Sequence, residues 1–594
     1  MATGHASGAL LGGVADPRHL AETDAIATGI HGSVDGLQAQ SRPNIYNDAK
    51  IKFEEYHYWA NRSRELENRI ESNRGWLSSV FKRKDEKSSE EPVSIPAGDP
   101  HEKGSKKPND ATVPDGASAI TDYEWINARG ATRTATWGSI FYLITTDILG
   151  PYNVPWAVSR MGYGPGFALY TVFGSLALYS SLQLWQMFIG LDSTRYPLRN
   201  YGDLAFRVYG NRARYLFNIL QMFQFFLMVA LITESNGQSL AQMAAGSSGT
   251  GFLCFVAAEG ITAIIGLLLG QIRTLQRLGW LANVAVWLNV IVMVMTMIVV
   301  HKYPPNYEAA EIANNVKEGP IVTSANWPEG LGLSDYMGGV MNCVYAYGGA
   351  VLFNELMAEM RKPMDFWKSL VCAEAFIYAV YITMGMVVYS AQGQFTYPLA
   401  YQGIPSSAYS WQTFGNAVSY VSALIAMALY GNIGIKVIYA SVLQDILNFP
   451  PLDQKTGKIL WVIIVPIYWG LAFVVAAAVP QIANLVALVG ALCIMQFQYT
   501  FPPLLKVGYN VQKDAMLPEE TFDPATGQLQ RADFGVKRWI RGYMKKPIWN
   551  TFDVLFGLAA LATAGLGIWA AAINMKAQFE ASGITPFTCK NPAG

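Results

Sequence analysis

The stretch YLITTDILGPYNVPWAVSR, residues 142–160, limits what this chain can fold into more than any other. It lies inside an apolar run long enough to cross a bilayer. Yet its middle holds an acid, Asp147, followed by Gly150-Pro151 and a second proline, Pro155. Proline donates no backbone hydrogen bond, so Pro151 frees the carbonyl of Asp147 and Pro155 frees that of Pro151. Bare carbonyls and a carboxylate are costly in hydrocarbon and persist only where they face protein or a wet cavity. The stretch therefore reads as a membrane helix interrupted near mid-depth.

Composition agrees with a membrane location. Of 594 residues, 52% are apolar and only 14% charged, against about 25% charged in soluble domains. The formal net charge is zero, which gives no sign of a nucleic-acid partner. Cys254, Cys343, Cys372, Cys493 and Cys589 form no CxxC, and the four in apolar runs read as buried thiols. The first residues, MATGHASGALLGG, lack the apolar core of a signal peptide, so an internal span is expected to direct insertion. No nucleophile elbow, zinc-ligand spacing or phosphate-cradling loop is present, and His301 is the sole histidine after Tyr123. These absences argue against an enzyme, and no cofactor or metal is expected.

Residues 1–133 are polar and read as a cytoplasmic tail, mostly disordered. Its exception is an amphipathic helix near 51–81, where Ile51, Phe53, Tyr56, Trp59, Leu66, Ile70, Trp76 and Leu77 recur at helical spacing, followed by Lys82, Arg83 and Lys84. Two placements stay open for it: on lipid, or on the protein's own inner face.

About eleven apolar runs follow, each able to cross about 30 Å of hydrocarbon. They divide the chain into a first group of five (134–300), a loop (301–334), a second group of five (335–507), a loop (508–548), a last helix (549–574) and a tail (575–594). Alternate loops are rich in Lys and Arg, among them Arg195, Arg199, Arg207, Arg212, Arg361, Lys362, Lys537 and Arg538. That bias puts the N-terminus inside and the C-terminus outside.

The sixth run, YMGGVMNCVYAYGGAVLFNELMAEMRKP, holds Gly348-Gly349 near its middle, with Glu355 and Glu359 just beyond. Interruptions in runs 1 and 6 are five crossings apart. Five is odd, so the two groups of five cross in opposite senses. An inverted repeat led by broken helices is the arrangement of many secondary transporters. The gap would offer two helix C-ends and two helix N-ends, which suit a small zwitterion. Its ammonium would meet carbonyls around Asp147, Ile148, Leu149, Gly150 and Pro151 and those of Tyr345, Ala346 and Tyr347. Its carboxylate would meet amides near Tyr152 and Asn153. Gln224 on run 3 would line the wall, and Gly348 and Gly349 would shape the second break. Asp147 and Glu355 are the candidates for ion coupling. Glu259 and Glu374 read as interhelical hydrogen-bond partners. Lys436 reads as a snorkelling lysine or as a stand-in for sodium.

The segments LGPYNVPWA, YGDLAFRVYGNRARYLFN and YAYGGAVLFNELMAEMRKP, with the tail segment FEEYHYWANRSRELE, resemble the amino acid/auxin permease family. The tail segment is similar to its fungal branch, which includes neutral and aromatic amino acid permeases. The resemblance covers about residues 120–575. It implies an all-α membrane protein of the leucine-transporter type: ten core helices in a 5+5 inverted repeat with broken helices 1 and 6, and an eleventh outside. It also implies import of amino acids coupled to protons, with sodium the alternative ion. The expected location is the plasma membrane rather than the vacuole. The rival expectation is an amino-acid-sensing receptor that keeps the fold and transports little.

Overall fold

The computed structural model describes residues 51–72, 133, 135–247, 253–271, 279–444, 447, 449–450, 454–520, 522–523, 529–582 and 585–592. Most of the tail, and with it the expectation of disorder there, lies outside them. The described residues are mostly helical, joined by turns and loops with two isolated β-bridges among them. Among the described residues, seven helical segments are long and apolar enough to cross a membrane: Tyr163–Leu191, Asn211–Ala245, Pro363–Phe395, Ser406–Gln444, Lys455–Ala478, Ile482–Asp514 and Pro547–Glu580. Two further apolar helices, Phe255–Gly270 and Asn283–Val299, are shorter. Runs 1 and 6 of the sequence are each split in two.

In chain order the helices are α1 (Phe53–Ser72), α2 (Trp137–Ile148), α3 (Val154–Met161), α4 (Tyr163–Leu191), α5 (Tyr201–Tyr209) and α6 (Asn211–Ala245). Next come α7 (Phe255–Gly270), α8 (Gly279–Val299), α9 (Tyr307–Asn314), α10 (Leu333–Ala346), α11 (Phe353–Glu359) and α12 (Phe366–Gln392). The rest are α13 (Tyr409–Ile438), α14 (Lys455–Ala478), α15 (Ile482–Val489), α16 (Phe501–Asp514), α17 (Val536–Lys545) and α18 (Pro547–Ser582). A π-helical stretch, Gly490–Thr500, joins α15 to α16. Two expected loops thus carry helices of their own, α9 and α17, and the last helix outruns 549–574 at both ends.

Hydrocarbon gives helices no hydrophobic reason to associate, so close backbone approach and shape carry the packing. Gly266 and Gly270 of α7 and Gly431 of α13 all abut the indole of Trp469 on α14. That ring is almost wholly buried. The long helix α6 lies against α7, α13 and α14, and α12 lies against both α2 and α3.

Two cysteine expectations are corrected: Cys254 is not a free thiol, and Cys372 is exposed rather than buried. Cys254, just before α7, is bonded to Cys589 of the C-terminal stretch. The backbone reinforces this link, because Phe255 N donates to the Cys589 carbonyl and Phe587 N to that of Ala477. The start of α7, the end of α14 and the terminal segment therefore share one face of the molecule. A cysteine at the edge of an apolar run looks like a buried thiol in sequence; its partner lies 335 residues away. Cys343 and Cys493 are free and buried, while Cys372 is free and exposed.

The amphipathic helix runs from Phe53 to Ser72; residues 73–81 of the expected stretch lie outside the described residues. Its apolar face packs on the protein. Phe53 meets Tyr509, Tyr56 meets Tyr196, and the guanidiniums of Arg207 and Arg195 lie over Tyr56 and Trp59. Ion pairs fasten both ends. Glu54 accepts from Arg531 and Arg538 at 2.6 and 2.8 Å. At the other end, Arg64 reaches Asp192 at the end of α4, 3.1 Å away. The same carboxylate takes both arms of Arg133 at 2.9 and 2.8 Å, just before half-helix α2, and the Leu198 N–H. Ala135, two residues on, exchanges backbone hydrogen bonds with Glu359 and Arg361 at the end of α11. One buried carboxylate thus holds α1, α4 and the lead-in to the first broken helix together.

Burial alone would raise the Asp192 carboxyl; Arg133, Arg64 and the Leu198 amide outweigh it and hold it at about 2. Burial also lowers His57 of α1, whose Nδ1 donates to the Gly190 carbonyl. Both groups favour the less protonated form when docked, so both stabilise docking at high pH. The His57 contribution fades as pH falls below about 6.5, and the Asp192 contribution as pH falls through about 3.9 towards 2. Asp192→Asn takes the carboxylate from the half-buried Arg133 and leaves the buried Arg64 with Glu67 alone, a loss of about 3–5 kcal/mol. Hydrogen exchange in residues 53–72 is expected to quicken by at least about 100-fold in this variant at pH 7. Unchanged exchange would mean that Asp192 does not hold α1.

Candidate functional site

Both interruptions fall where the sequence places them, and each has a local cause. Helix α2 begins at the Thr136 cap, whose hydroxyl accepts from Ser139 N, and stops at Ile148. Leu149 N still bonds the Thr145 carbonyl, Gly150 N turns back to Ile148 O, and Pro151–Asn153 form one tight turn. Helix α3 then starts with Pro155 in its first turn, where a missing N–H costs nothing. In the second break α10 stops at Ala346. Tyr347 N, Gly348 N and Gly349 N close short turns onto Val344, Tyr345 and Tyr347, and α11 restarts at Phe353 after the turn Ala350–Leu352.

The glycine pair allows close approach. A Cβ on Gly348 would stand 2.6 Å from Ile494, and one on Gly349 would stand 2.7 Å from Ile148 of the first break. The two breaks therefore touch.

A single hydroxyl joins them. Tyr381 of α12 is fully buried, and its Oη lies 2.6 Å from Ile148 O and 2.7 Å from Ala346 O, the C-ends of α2 and α10. A phenol has one proton, so it satisfies one of these carbonyls at a time. Other polar side chains inside the bundle bond further groups of the breaks. Asn289 of α8 donates to Leu149 O and accepts from the Tyr152 hydroxyl. Asn153 donates to Asn342 of α10, which in turn donates to Gly338 O. Gln498, in the π-helical stretch, accepts from Ala350 N and donates to Ala177 O and Ser181 Oγ of α4. Gln221 of α6 donates to Val351 O and to Glu355 Oε1.

Asp147 is half-buried in the first break. Its Oδ1 accepts a short hydrogen bond from the Tyr430 hydroxyl of α13, and its Oδ2 is shut from solvent without a hydrogen-bond partner among the described residues. Glu355 binds Gln221 rather than a lysine or arginine, and its Oε2 is likewise unpartnered. The two acids sit in separate networks. Tyr347 is buried against Tyr170 and Tyr381, while the Tyr345 hydroxyl points to the Met228 sulfur. Gln224 is buried with its Oε1 unpartnered, and no hydrogen bond ties it to either break.

Two expectations change. The carbonyls of Ile148, Leu149, Tyr345, Ala346 and Tyr347 are not bare, because nearby donors of the chain itself occupy them. Glu259 and Glu374 are buried but form no interhelical hydrogen bond among the described residues. Lys436, late in α13, is half-buried, as either reading of it allows. Among the described residues no three His, Cys, Asp or Glu side chains gather as a metal ion would require. The sequence reading passed over Tyr381, Tyr430, Asn289 and Gln498. Each is a polar side chain inside an otherwise apolar run, which was the signal available, but nothing in the order of residues says which face it takes.

Two interrupted helices in contact, inside a bundle of apolar helices, define a multi-pass membrane protein with a polar centre. The family model for transmembrane amino acid transporter protein matches residues 133–516, and the chain belongs to that family. It is a family of transporters, not enzymes. A "Transmembrane transporter" of Gibberella moniliformis is 23% identical over 63% of this chain and 75% of its own length. An "N amino acid transport system protein" of Neurospora crassa is 23% identical over 62% and 74%. A "Transmembrane transporter" of Fusarium pseudograminearum is 23% identical over 63% and 75%.

Replacing Tyr381 by Phe keeps the ring and removes the one donor shared by the two helix ends. Leaving a buried acceptor unpaired costs about 1–3 kcal/mol. The purified Tyr381→Phe protein is therefore expected to unfold at a lower temperature than wild type in a thermal melt. An unchanged midpoint would show that the carbonyls find another donor.

Proposed function

We propose that this chain is a secondary active transporter that imports amino acids, neutral and aromatic ones foremost, by alternating access with a proton as the coupling ion. Amino acid transport as such follows from the family. The observation that carries the finer reading is the meeting of two broken helices at Tyr381, with Asp147 at the lip of the first. The Tyr381 proton serves Ala346 O or Ile148 O, the latter also taking Gly150 N, and each carbonyl oxygen keeps a second lone pair for a further donor. A substrate ammonium, with three N–H groups and a positive charge, suits that place, since helix C-ends are partly negative. The restart of α3 near Tyr152 and Asn153 offers the partly positive end to the carboxylate.

The arrangement fits a leucine-transporter-type core of ten helices in two inverted repeats, spanning 134–300 and 335–507, with an eleventh helix beyond. The disulfide supports the orientation read from the loops. Cys254–Cys589 belongs in an oxidising compartment, on the opposite face from the arginine-rich loops that α1 covers. A fungal plasma membrane is the location this favours, with the tail inside. The Asp147 carboxylate, with one oxygen held by Tyr430 and the other unpartnered, is the proton site of this reading. Glu355 is the second.

The test is uptake of a labelled amino acid panel into vesicles holding the purified protein, with proton and sodium gradients imposed separately. Accumulation is expected under the proton gradient alone, and to fall at least about tenfold in Asp147→Asn, in keeping with loss of a positioned proton carrier. Drive by sodium alone would overturn the coupling assignment. Binding without accumulation under either gradient would favour the sensing receptor.

A further inference from the structure

We propose that the groove between α16 and α17 holds an acyl chain of an anionic phospholipid, with the headgroup met by Lys537 and Lys545. The groove measures about 380 Å³ and its walls are Val507, Val511, Trp539, Ile540, Tyr543 and Met544. The edge of a bilayer lets a soluble-looking helix such as α17, VKRWIRGYMK, keep such a surface uncovered. On its outward side Val536 is 74% exposed, Ile540 58% and Met544 65%. Apolar exposure on that scale marks a surface made to be covered.

Two observations say what covers it. The first is continuity. Helix α18 follows after one residue, and Ile548, Trp549, Phe552, Leu555 and Leu558 on it are exposed in a row along a membrane-crossing segment. The apolar side of α17 runs directly into that lipid-facing belt. The second is charge. Lys537, Arg541 and Lys545 recur every four residues, which puts them on one ridge beside the apolar side. Arg541 is committed to Asp533 and to the Ala515 carbonyl. Lys537 and Lys545 are exposed, and neither has an ion-pair partner among the described residues. Cations at the border of an interfacial helix select acidic headgroups.

The inner side of α17 is already occupied, so the lipid has one side to approach. Gly542 presses on Val511 O, which a Cβ would approach to 2.0 Å, and Arg538 binds Glu54 of α1 and Glu520. A lipid seated in the groove would therefore brace the helix that anchors α1. This inference rests on the membrane embedding of the chain and not on its cargo or coupling ion.

The experiment places the full-length protein in nanodiscs doped with phosphatidylserine or phosphatidylcholine carrying a photoreactive group on the acyl chain. Labelled residues are mapped by mass spectrometry. Labelling within 507–511 and 536–544 is expected to be at least about fivefold stronger with the serine lipid. That preference should vanish in Lys537→Gln/Lys545→Gln and persist in Lys537→Arg/Lys545→Arg. Labelling of Leu555 and Leu558 on α18 serves as the control that each variant is folded and embedded. Equal labelling by the two lipids overturns the charge-selective site. Absence of label in the groove, with α18 labelled normally, overturns the site altogether.

Discussion

The backbone of an interrupted membrane helix needs hydrogen-bond partners where there is no water, and the rest of this structure is arranged around meeting that need. At the centre the partner is a side chain, the Tyr381 hydroxyl, placed within reach of both Ile148 O and Ala346 O. Asn289, Asn342, Gln221 and Gln498 complete the set from four other segments. Helices α6, α8, α12 and α13 and the π-helical stretch therefore each contribute a donor or acceptor to the two breaks. Such a network has few ways to rearrange by halves, because a half-satisfied buried network is worse than none. A shift of either broken helix should carry its partners with it.

The same logic recurs at the face covered by α1. Asp192 ties the lead-in of α2 to the end of α4, and Ala135 is stitched to the end of α11 by backbone hydrogen bonds. The first broken helix is thus held at its N-terminal end as well as at its break. Helix α1 lies over this junction and shares its carboxylate. Through Glu54 it also reaches α17, so α1, the broken helices and α17 form one connected layer.

Much of the candidate site was legible from residue order. Pro151 lacks an N–H, and paired glycines at 348 and 349 permit a contact that a Cβ would forbid, so both stopping points follow from local chemistry. The partners of those breaks were not legible. Tyr381 and Tyr430 look like ordinary aromatic residues of a span, and a tyrosine in lipid, in a core or at a helix end has the same neighbours in sequence. Glu259 and Glu374 show the converse: an acid in a span invites the expectation of a hydrogen-bond partner, yet none is present among the described residues. The bond from Cys254 to Cys589 escaped for a related reason, since apolar neighbours describe a residue's surroundings along the chain and not across it.

The sequence by itself determined that this chain is a bundle of apolar helices, where two of them stop, and that charged loops alternate with apolar runs. Each of these depends on the intrinsic properties of a few consecutive residues: the missing N–H of proline, the missing Cβ of glycine, the cost of charge in hydrocarbon. Only the tertiary structure decided that the breaks meet, that one phenol serves both, and that the tail helix docks on protein by ion pairs rather than spreading on lipid. Those outcomes turn on which side chains, far apart in the chain, come within about 3 Å of one another. Helix rotation and packing set that distance, and no local preference encodes it.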